Sequence, residues 1–509
     1  MYLESLYILG TASEAQVSRH VILESGGGHS CWGRRTIPQP CFPTIRTDAA
    51  ASPARREHRE YNCRALHQSP PLPLKLYNTL TTEIQEFVPQ RDPIGVYVCG
   101  ITPYDTTHLG HAFTYSIADV LIRYLEFKGR PVRYVQNVTD VDDDLLRVAG
   151  ERQEDWRRMG DRWTSHYIED MAALNIRPPD VLPRATDVLP QMIASIERLL
   201  AAGMAYEAGG GVYFDLAAWP AYGKLSKLST DQMLPIANER GNRPDDPHKR
   251  RPLDFVLWQA KAPGEPAWDS PWGAGRPGWH IECSTMASQN LGQTVDLHAG
   301  GEDLVFPHHE SEIAQIEPLT GQPFASHWLH VAPVHHLGAK MSKSLGNLIM
   351  VRELLDRWSP DTIRLYLAGH HYRESWTHDP AGLEAAGRQA EALSAAAAFD
   401  GSQAKPSSAD AAPSGSQGKP FLPDDLVSEF TQAMDRDLNI PAALAALRRL
   451  GEAIEAAAHQ GRAVAPAQKS LRTLAGLLGL RLGSAGPEGR VVEGWGRHLT
   501  RFREQLVSG

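Results

Sequence analysis

The 509-residue chain sets 51 Lys and Arg against 60 Asp and Glu, a formal net charge of −9, with 42% hydrophobic and 22% charged residues. That balance reads as soluble and globular, with room for two or three domains and no global basic field for nucleic acid, although a local basic face stays open. No apolar run approaches the ~20 residues of a membrane span, and the five cysteines (Cys31, Cys41, Cys63, Cys99, Cys283) do not look like a disulfide framework, which points to a reducing cytoplasm.

Residues 1 to 72 show no sustained periodicity and mix Gly-Gly-Gly, Pro and Arg. They are expected to be a disordered extension, or one that results from a start site set too early. Glu4, Glu14 and Glu24 argue against the acid-poor kind of targeting peptide. Order should begin near 74–80, LKLYNTL.

The stretch VYVCGITPYDTTHLGH, 96 to 111, organises the rest of the chain. Val96, Tyr97 and Val98 make a β-prone run ending at Gly100, Pro103 forbids a regular ladder, and His108-Leu109-Gly110-His111 opens an apolar helical pattern (Ala112, Tyr115, Ile117, Ala118, Leu121, Ile122). A strand running through a Gly/Pro turn into a helix start is where open α/β sheets bind ligands, because the helix N-terminus favours phosphate. His108 and His111 can donate to a triphosphate, and Gly110 lets an adenine or ribose approach the backbone. Two histidines at a helix start are equally compatible with no ligand at all, so this motif needs a partner.

Val132 to Gln136 reads as a second buried strand, followed by Asn137-Val138-Thr139-Asp140. Residues 150 to 205 have helical period, with Trp156, Met159, Trp163 and Tyr167 as a core stripe. Residues 206 to 275 are turn-rich and read as an insertion between two halves of a nucleotide-binding fold. Val295 to His298 and Trp328 to Val331 look like further sheet strands, and 378 to 398 is an Ala-rich helix. Residues 401 to 419 form a Pro/Ser/Gly linker. Beyond it, 424 to 480 carries amphipathic helices whose Phe430, Met434, Leu438, Ala443 and Leu447 suit a small bundle, with one more helix at Trp495 to Leu506.

The partner motif lies downstream at Lys340-Met341-Ser342-Lys343-Ser344-Leu345-Gly346-Asn347, a cationic loop suited to a developing pyrophosphate. HxGH followed by KMSKS in this order resembles the class I aminoacyl-tRNA synthetases. The residues between them are similar to the cysteinyl-tRNA synthetase group, which includes the cysteine ligase of the mycothiol pathway. The resemblance covers 74 to 370 strongly and 424 to 480 weakly. It implies an α/β fold, a Rossmann-like parallel sheet with an inserted subdomain around 150–275 in a catalytic domain 73–390. A linker at 391–421 and a helical C-terminal domain at 422–509, without a full anticodon-binding module, would come after it.

It further implies one Zn²⁺ per chain on Cys99, Cys283, His308 and Glu312, set to capture substrate sulfur as thiolate where serine's hydroxyl gains little. His309 and Glu310 would either orient the ligands from behind or be ordinary surface residues. Thr102, Thr139 and Trp279 would face the amino acid, while Gly110, His298, Gly300, Gly301 and Asp303 would face the adenylate. His108, His111, Lys340 and Lys343 would act on ATP, which arrives with Mg²⁺. L-cysteine and ATP are the implied substrates of a cytoplasmic monomer. Two acceptors stay open, tRNA(Cys) and a glucosaminyl-inositol amine. ITPYD at 101–105 and Glu239-Arg240-Gly241 resemble the sugar ligase; Glu312, KMSKSLGN and GWHIECSTM resemble the tRNA enzyme, which is the expected reading.

Overall fold

The computed structural model describes residues 73–105, 107–341, 345–399, 420–483 and 489–508. The extension 1–72, Lys343 and the linker 401–419 lie outside the described residues.

Four strands, Ile94–Ile101, Val132–Val138, Leu297–Gly301 and Trp328–Val331, form a parallel sheet. Ile94–Ile101 pairs with Val132–Val138 on one side and with Leu297–Gly301 on the other, and Trp328–Val331 closes the outer edge. The near-continuous burial of Ile94, Val96, Tyr97 and Val98 is what a strand covered on both faces requires. The helix Leu109–Phe127 returns across one face, burying Ala112, Phe113, Ile117, Val120, Leu121 and Tyr124 at helical spacing. Because the first strand is central and its neighbours extend to both sides, a crevice opens at the strands' carboxyl ends.

The intervening segment contains helices Asp143–Arg152, Trp156–Ala173 and Leu189–Ala201. A second sheet comes next, antiparallel, built from Ala205–Ala208, Gly211–Phe214, Phe255–Ala260 and Gly275–Pro277. Met159 and Tyr167 are core residues, whereas Trp156 and Trp163 are only partly buried.

The Ala-rich segment is the helix Pro380–Ala398, which runs past the boundary expected at 390. Helices Asp424–Asp435, Ile440–His459 and Ala465–Leu477 then pack through Phe430, Met434, Ala443 and Leu447, all buried. The last helix, Gly489–Ser508, does not simply extend that bundle. Its Trp495 is buried, donates Nε1–H to the carbonyl of Ile176 at 2.8 Å, and meets Tyr167 edge-on. A buried ion pair fastens the bundle to the sheet's helix: Arg364 Nη2 lies 2.6 Å from Asp119 Oδ2 and donates to the Leu478 carbonyl. Among the described residues no helix is long and apolar enough to cross a membrane.

Candidate active site

A cavity of about 1250 Å³ opens at the carboxyl ends of the parallel strands. Cys99, Thr102, His108, Gly110, His111, Trp279, Gly301, Asp303 and Lys340 all line it. Cys99 and Lys340, far apart in sequence, thus share one wall, although Lys340 is carried by the short strand Ala339–Lys340 of a separate sheet.

His108 sits at the start of its helix with an extended backbone, and its Nδ1 accepts from the Gly110 N–H at 3.1 Å and the His111 N–H at 3.4 Å. The imidazole is therefore the helix's own N-cap. With Nδ1 accepting, the ring proton of the neutral form resides on Nε2. Its ring stacks on that of His111, centroids 3.7 Å apart. Gly110 has a steric reason as well, since a Cβ there would stand 3.0 Å from both Nδ1 and Cε1 of His108.

Beneath the cavity wall lies the donor cluster. Strand Ile94–Ile101 presents Cys99, helix Trp279–Leu291 presents Cys283, and the turn leading into helix Glu310–Thr320 presents His308 and, one helical turn on, Glu312. One ligand atom from each of Cys99, Cys283, His308 and Glu312 lies within 4.8 Å of all the others, and all four residues are buried. His308 Nε2 is 3.1 Å from Glu312 Oε1, and Cys99 Sγ is 3.7 Å from the same oxygen. Burial first, then the closeness of Cys283 and Glu312, pushes the Cys99 thiol well above its ordinary value. Burial likewise raises Glu312 and holds His308 well below the usual imidazole range. Two thiols, an imidazole and a carboxylate converging without a cation are a poor electrostatic arrangement and a good zinc site, because a divalent ion favours the deprotonated donors. The residues present fit the ion.

A second set, Cys99, His298, His309 and Glu312, shares two members with the first. Here the structure differs from the sequence reading. His298 is completely buried, its Nε2 is 3.0 Å from Glu312 Oε2, and it does not line the cavity. Residues two apart on a strand share a face, so Gly300 follows His298 to that side, where a Cβ would lie 3.0 Å from His309 Cε1. Neither lines the cavity; Gly301 and Asp303 do. Thr139 is also withdrawn from the wall, buried and accepting from Asn137 Nδ2 at 3.2 Å. His309 and Glu310 are both fully buried, which rules out the surface alternative. His309 Nδ1 is 2.7 Å from His330 Nε2, and Glu310 accepts from the Leu225 and Ser226 N–H groups at 3.0 and 2.8 Å.

Trp279 stacks on His308 at 4.2 Å and so stands between the cavity and the donor cluster. Lys340 Nζ is 2.9 Å from Asp303 Oδ2, and Arg240 donates to the Asp303 carbonyl at 2.6 Å. Burial works upward on Asp303, but Lys340 and Arg240 hold its carboxyl below the ordinary value. Arg240 and the neighbouring Arg243 and Lys249 bring cations to the wall opposite the sheet. Sequence reasoning passed over Arg240 as a site residue, although its stretch stood out, and passed over Glu282, a buried carboxylate on the wall next to Cys283.

The architecture is that of the class I aminoacyl-tRNA synthetases. It matches a methionyl-tRNA synthetase from Mycobacterium tuberculosis in complex with methionyl-adenylate, with a TM-score of 0.52 at 15% identity over 81% of this chain and 93% of that one. A LeuRS–tRNA–LeuAMS ternary complex from Agrobacterium radiobacter K84 matches with a TM-score of 0.55 at 11% identity over 82% and 86%. The chain belongs to the class I (C) tRNA synthetase family, whose catalytic-domain profile matches residues 86–388; the DALR domain profile matches 429–483. A cysteine–tRNA ligase from Dehalococcoides mccartyi is 42% identical over 417 residues, 81% of this chain and 88% of that protein. One from Thermosynechococcus vestitus is 44% identical over 425 residues, 80% and 86% of the two chains.

Proposed function

We propose that this chain is a cysteine–tRNA ligase, acting as a cytoplasmic monomer in protein biosynthesis. It joins L-cysteine and ATP into cysteinyl-AMP, releases pyrophosphate, and transfers the cysteinyl group to tRNA(Cys). The observation that carries the reading is the convergence of Cys99, Cys283, His308 and Glu312 beneath a cavity that also receives the HLGH turn and Lys340. A zinc ion held by those four residues would supply a soft Lewis acid for the substrate's sulfur, the one atom that distinguishes cysteine from serine.

The activation step is attack of the cysteine carboxylate on the α-phosphorus of ATP, with loss of the bond to pyrophosphate. Its catalysis rests on positioning and on charge stabilisation. His108, its ring fixed by the two backbone N–H groups it caps, directs Nε2–H at the phosphates, and His111 works beside it. Lys340 and Lys343 take up charge on the departing pyrophosphate, with Mg²⁺ accompanying ATP. Asp303 keeps Lys340 at the cavity edge and, with Gly301, borders the adenosine. Thr102 and Trp279 line the amino acid's side. His298, Gly300 and Thr139 act from behind, His298 by holding Glu312.

Relatives named as tRNA ligases, aligned over four-fifths of the chain, favour tRNA over the sugar amine. The test is paired. Purified protein should exchange pyrophosphate into ATP with cysteine and not serine, and should charge tRNA in a total tRNA preparation. Amide formation with glucosaminyl-inositol, without any cysteinyl-tRNA, would overturn the reading.

A further inference from the structure

Glu282 lies on the helix Trp279–Leu291, is 1% exposed, and lines the cavity. Apart from the Thr139 hydroxyl, which acts on it from the neighbouring strand end, neither of its carboxylate oxygens meets a donor in good hydrogen-bond geometry among the described residues. A carboxylate buried that thoroughly and met by so little is costly, and it persists where a ligand supplies the missing donors. The other carboxylates on the wall are already engaged. Asp143 pairs with Arg276, Asp144 accepts from Tyr104, and Asp303 pairs with Lys340. Asp246 accepts from Tyr213, and Asp142 caps the helix after it. Glu239 and Asp245 are exposed to water.

We propose that Glu282 binds the α-ammonium group of the amino acid substrate. The inference rests on the cysteine-activating reading above and deepens it. Glu282 immediately precedes Cys283, and successive helical residues diverge by about 100° around the axis. Its carboxylate and the sulfur-capturing donors therefore approach one small ligand from neighbouring directions. In cysteine the nitrogen and the sulfur are two carbons apart. A primary ammonium has three donors and a positive charge, so it suits this carboxylate better than a phosphate, which it would repel, or a neutral hydroxyl, which brings no charge. The same contact holds the substrate carboxylate facing the α-phosphate side of the cavity, toward His108 and His111. Glu282 is in this sense a specificity residue, selecting α-amino acids over thiols at large.

The experiment compares two ligands, L-cysteine and 3-mercaptopropionate, which lacks only the amino group. Both are titrated calorimetrically into the full-length, zinc-loaded wild-type protein and its Glu282→Gln variant. Wild type should bind cysteine about 10- to 100-fold more tightly than 3-mercaptopropionate, the range for a charge-assisted contact. The variant should lose that preference, binding 3-mercaptopropionate within about threefold of wild type, keep its zinc, and melt no lower than wild type. Equal affinity of wild type for the two ligands overturns the proposal without recourse to any variant. So does a variant that retains its preference for cysteine, that weakens toward both ligands alike, or that loses its zinc. Cysteine-dependent pyrophosphate exchange by the wild type separates the two levels: its absence defeats the ligase reading, and its presence alongside an indifferent Glu282→Gln variant defeats this inference alone.

Discussion

His108 is asked to do two things with one ring, and substitution can separate them. Its Nδ1 accepts from two backbone N–H groups at 3.1 and 3.4 Å, so it caps the helix Leu109–Phe127. In the proposed mechanism its Nε2–H serves the phosphates. His108→Ala removes both roles. Loss of a cap costs about 1 kcal/mol, roughly 1 °C in melting temperature for a chain of this size. Loss of a transition-state hydrogen bond costs ~10²- to 10³-fold in turnover. Asn is a strong N-cap whose side-chain oxygen can accept the same N–H groups, but it ends short of the position Nε2 holds. His108→Asn should therefore recover the melting temperature to within about 0.3 °C of wild type while pyrophosphate exchange stays depressed by about 10²-fold. The assays are a thermal melt and exchange kinetics with ATP varied at saturating cysteine. Exchange by His108→Asn within about threefold of wild type would refute the reasoning, since the imidazole would then be a cap and nothing more.

Gly110→Ala brings a Cβ to 3.0 Å from the His108 ring, so the ring must turn; turnover should fall by at least about 10-fold with a small loss of stability, and an unchanged exchange rate would show that ring placement is immaterial. Cys283→Ser should lower bound zinc below about one ion per chain and reduce cysteine-dependent exchange, as metal analysis alongside kinetics will report; full zinc and a normal rate would remove Cys283 from the donor set. Arg364→Met strips the buried Asp119 of one partner and the Leu478 carbonyl of its donor, which should cost about 3 kcal/mol in denaturant unfolding; a loss below about 1 kcal/mol would make the pair dispensable. The same pair gives an acid limb. Burial raises Asp119, but Arg123 and Arg364 more than offset it and leave its pKa below the ordinary 3.8. Its stabilising contribution is thus full above the unfolded-state value and lost as pH falls through the lower folded one, so the wild type's stability should decline in that window and Arg364→Met should decline less.

The sheet was legible at Val96-Tyr97-Val98, an unbroken apolar run buried on both faces, and at Val132 to Gln136, where Val132, Tyr134 and Val135 are buried although Arg133 is exposed. Gly100 marked the strand's end in the sequence, yet the strand continues to Ile101. The glycine is there because the neighbouring strand passes so close that a Cβ would collide with the Asn137 carbonyl oxygen, and sequence gives no hint of a neighbour's distance. The antiparallel sheet at 205–277 was read as turns because its strands are three to six residues long, too short for an alternation to register. Cys99, Cys283 and His308 have no local spacing, so only resemblance assembled them. That His298 points away from the cavity lining was not legible, because a motif records which residue is present and not which face of a strand it occupies. Glu282 was invisible for a related reason: beside a cysteine in a helical run, a glutamate looks like solvated surface until its burial is known.

The two overlapping donor sets explain why so many imidazoles gather in one place. Cys99 and Glu312 belong to both, and what differs is whether Cys283 and His308 or His298 and His309 complete them. The Cys283 and His308 side offers two sulfurs, the softer set, and it lies against Trp279 at the cavity wall, so a metal there is within reach of a substrate. The other side faces the sheet. There His298 Nε2 meets Glu312 Oε2 at 3.0 Å, while His309 Nε2 meets Cys99 Sγ at 3.2 Å. His309 is itself held through His330, whose Nδ1 is 2.7 Å from Thr79 Oγ1. Burial holds His298 down at about 3, so it stays neutral and can donate to one carboxylate oxygen while leaving Oε1 turned toward His308. In the proposed reading, the inner imidazoles orient Cys99 and Glu312 instead of competing for the ion. This is the usual division of labour around a metal, in which outer groups fix the direction of the inner ligands. It also agrees with the strand geometry: His298 and Gly300 lie on the side of the strand away from the cavity, where His298 meets Glu312, and Gly301, one residue on, lines the cavity.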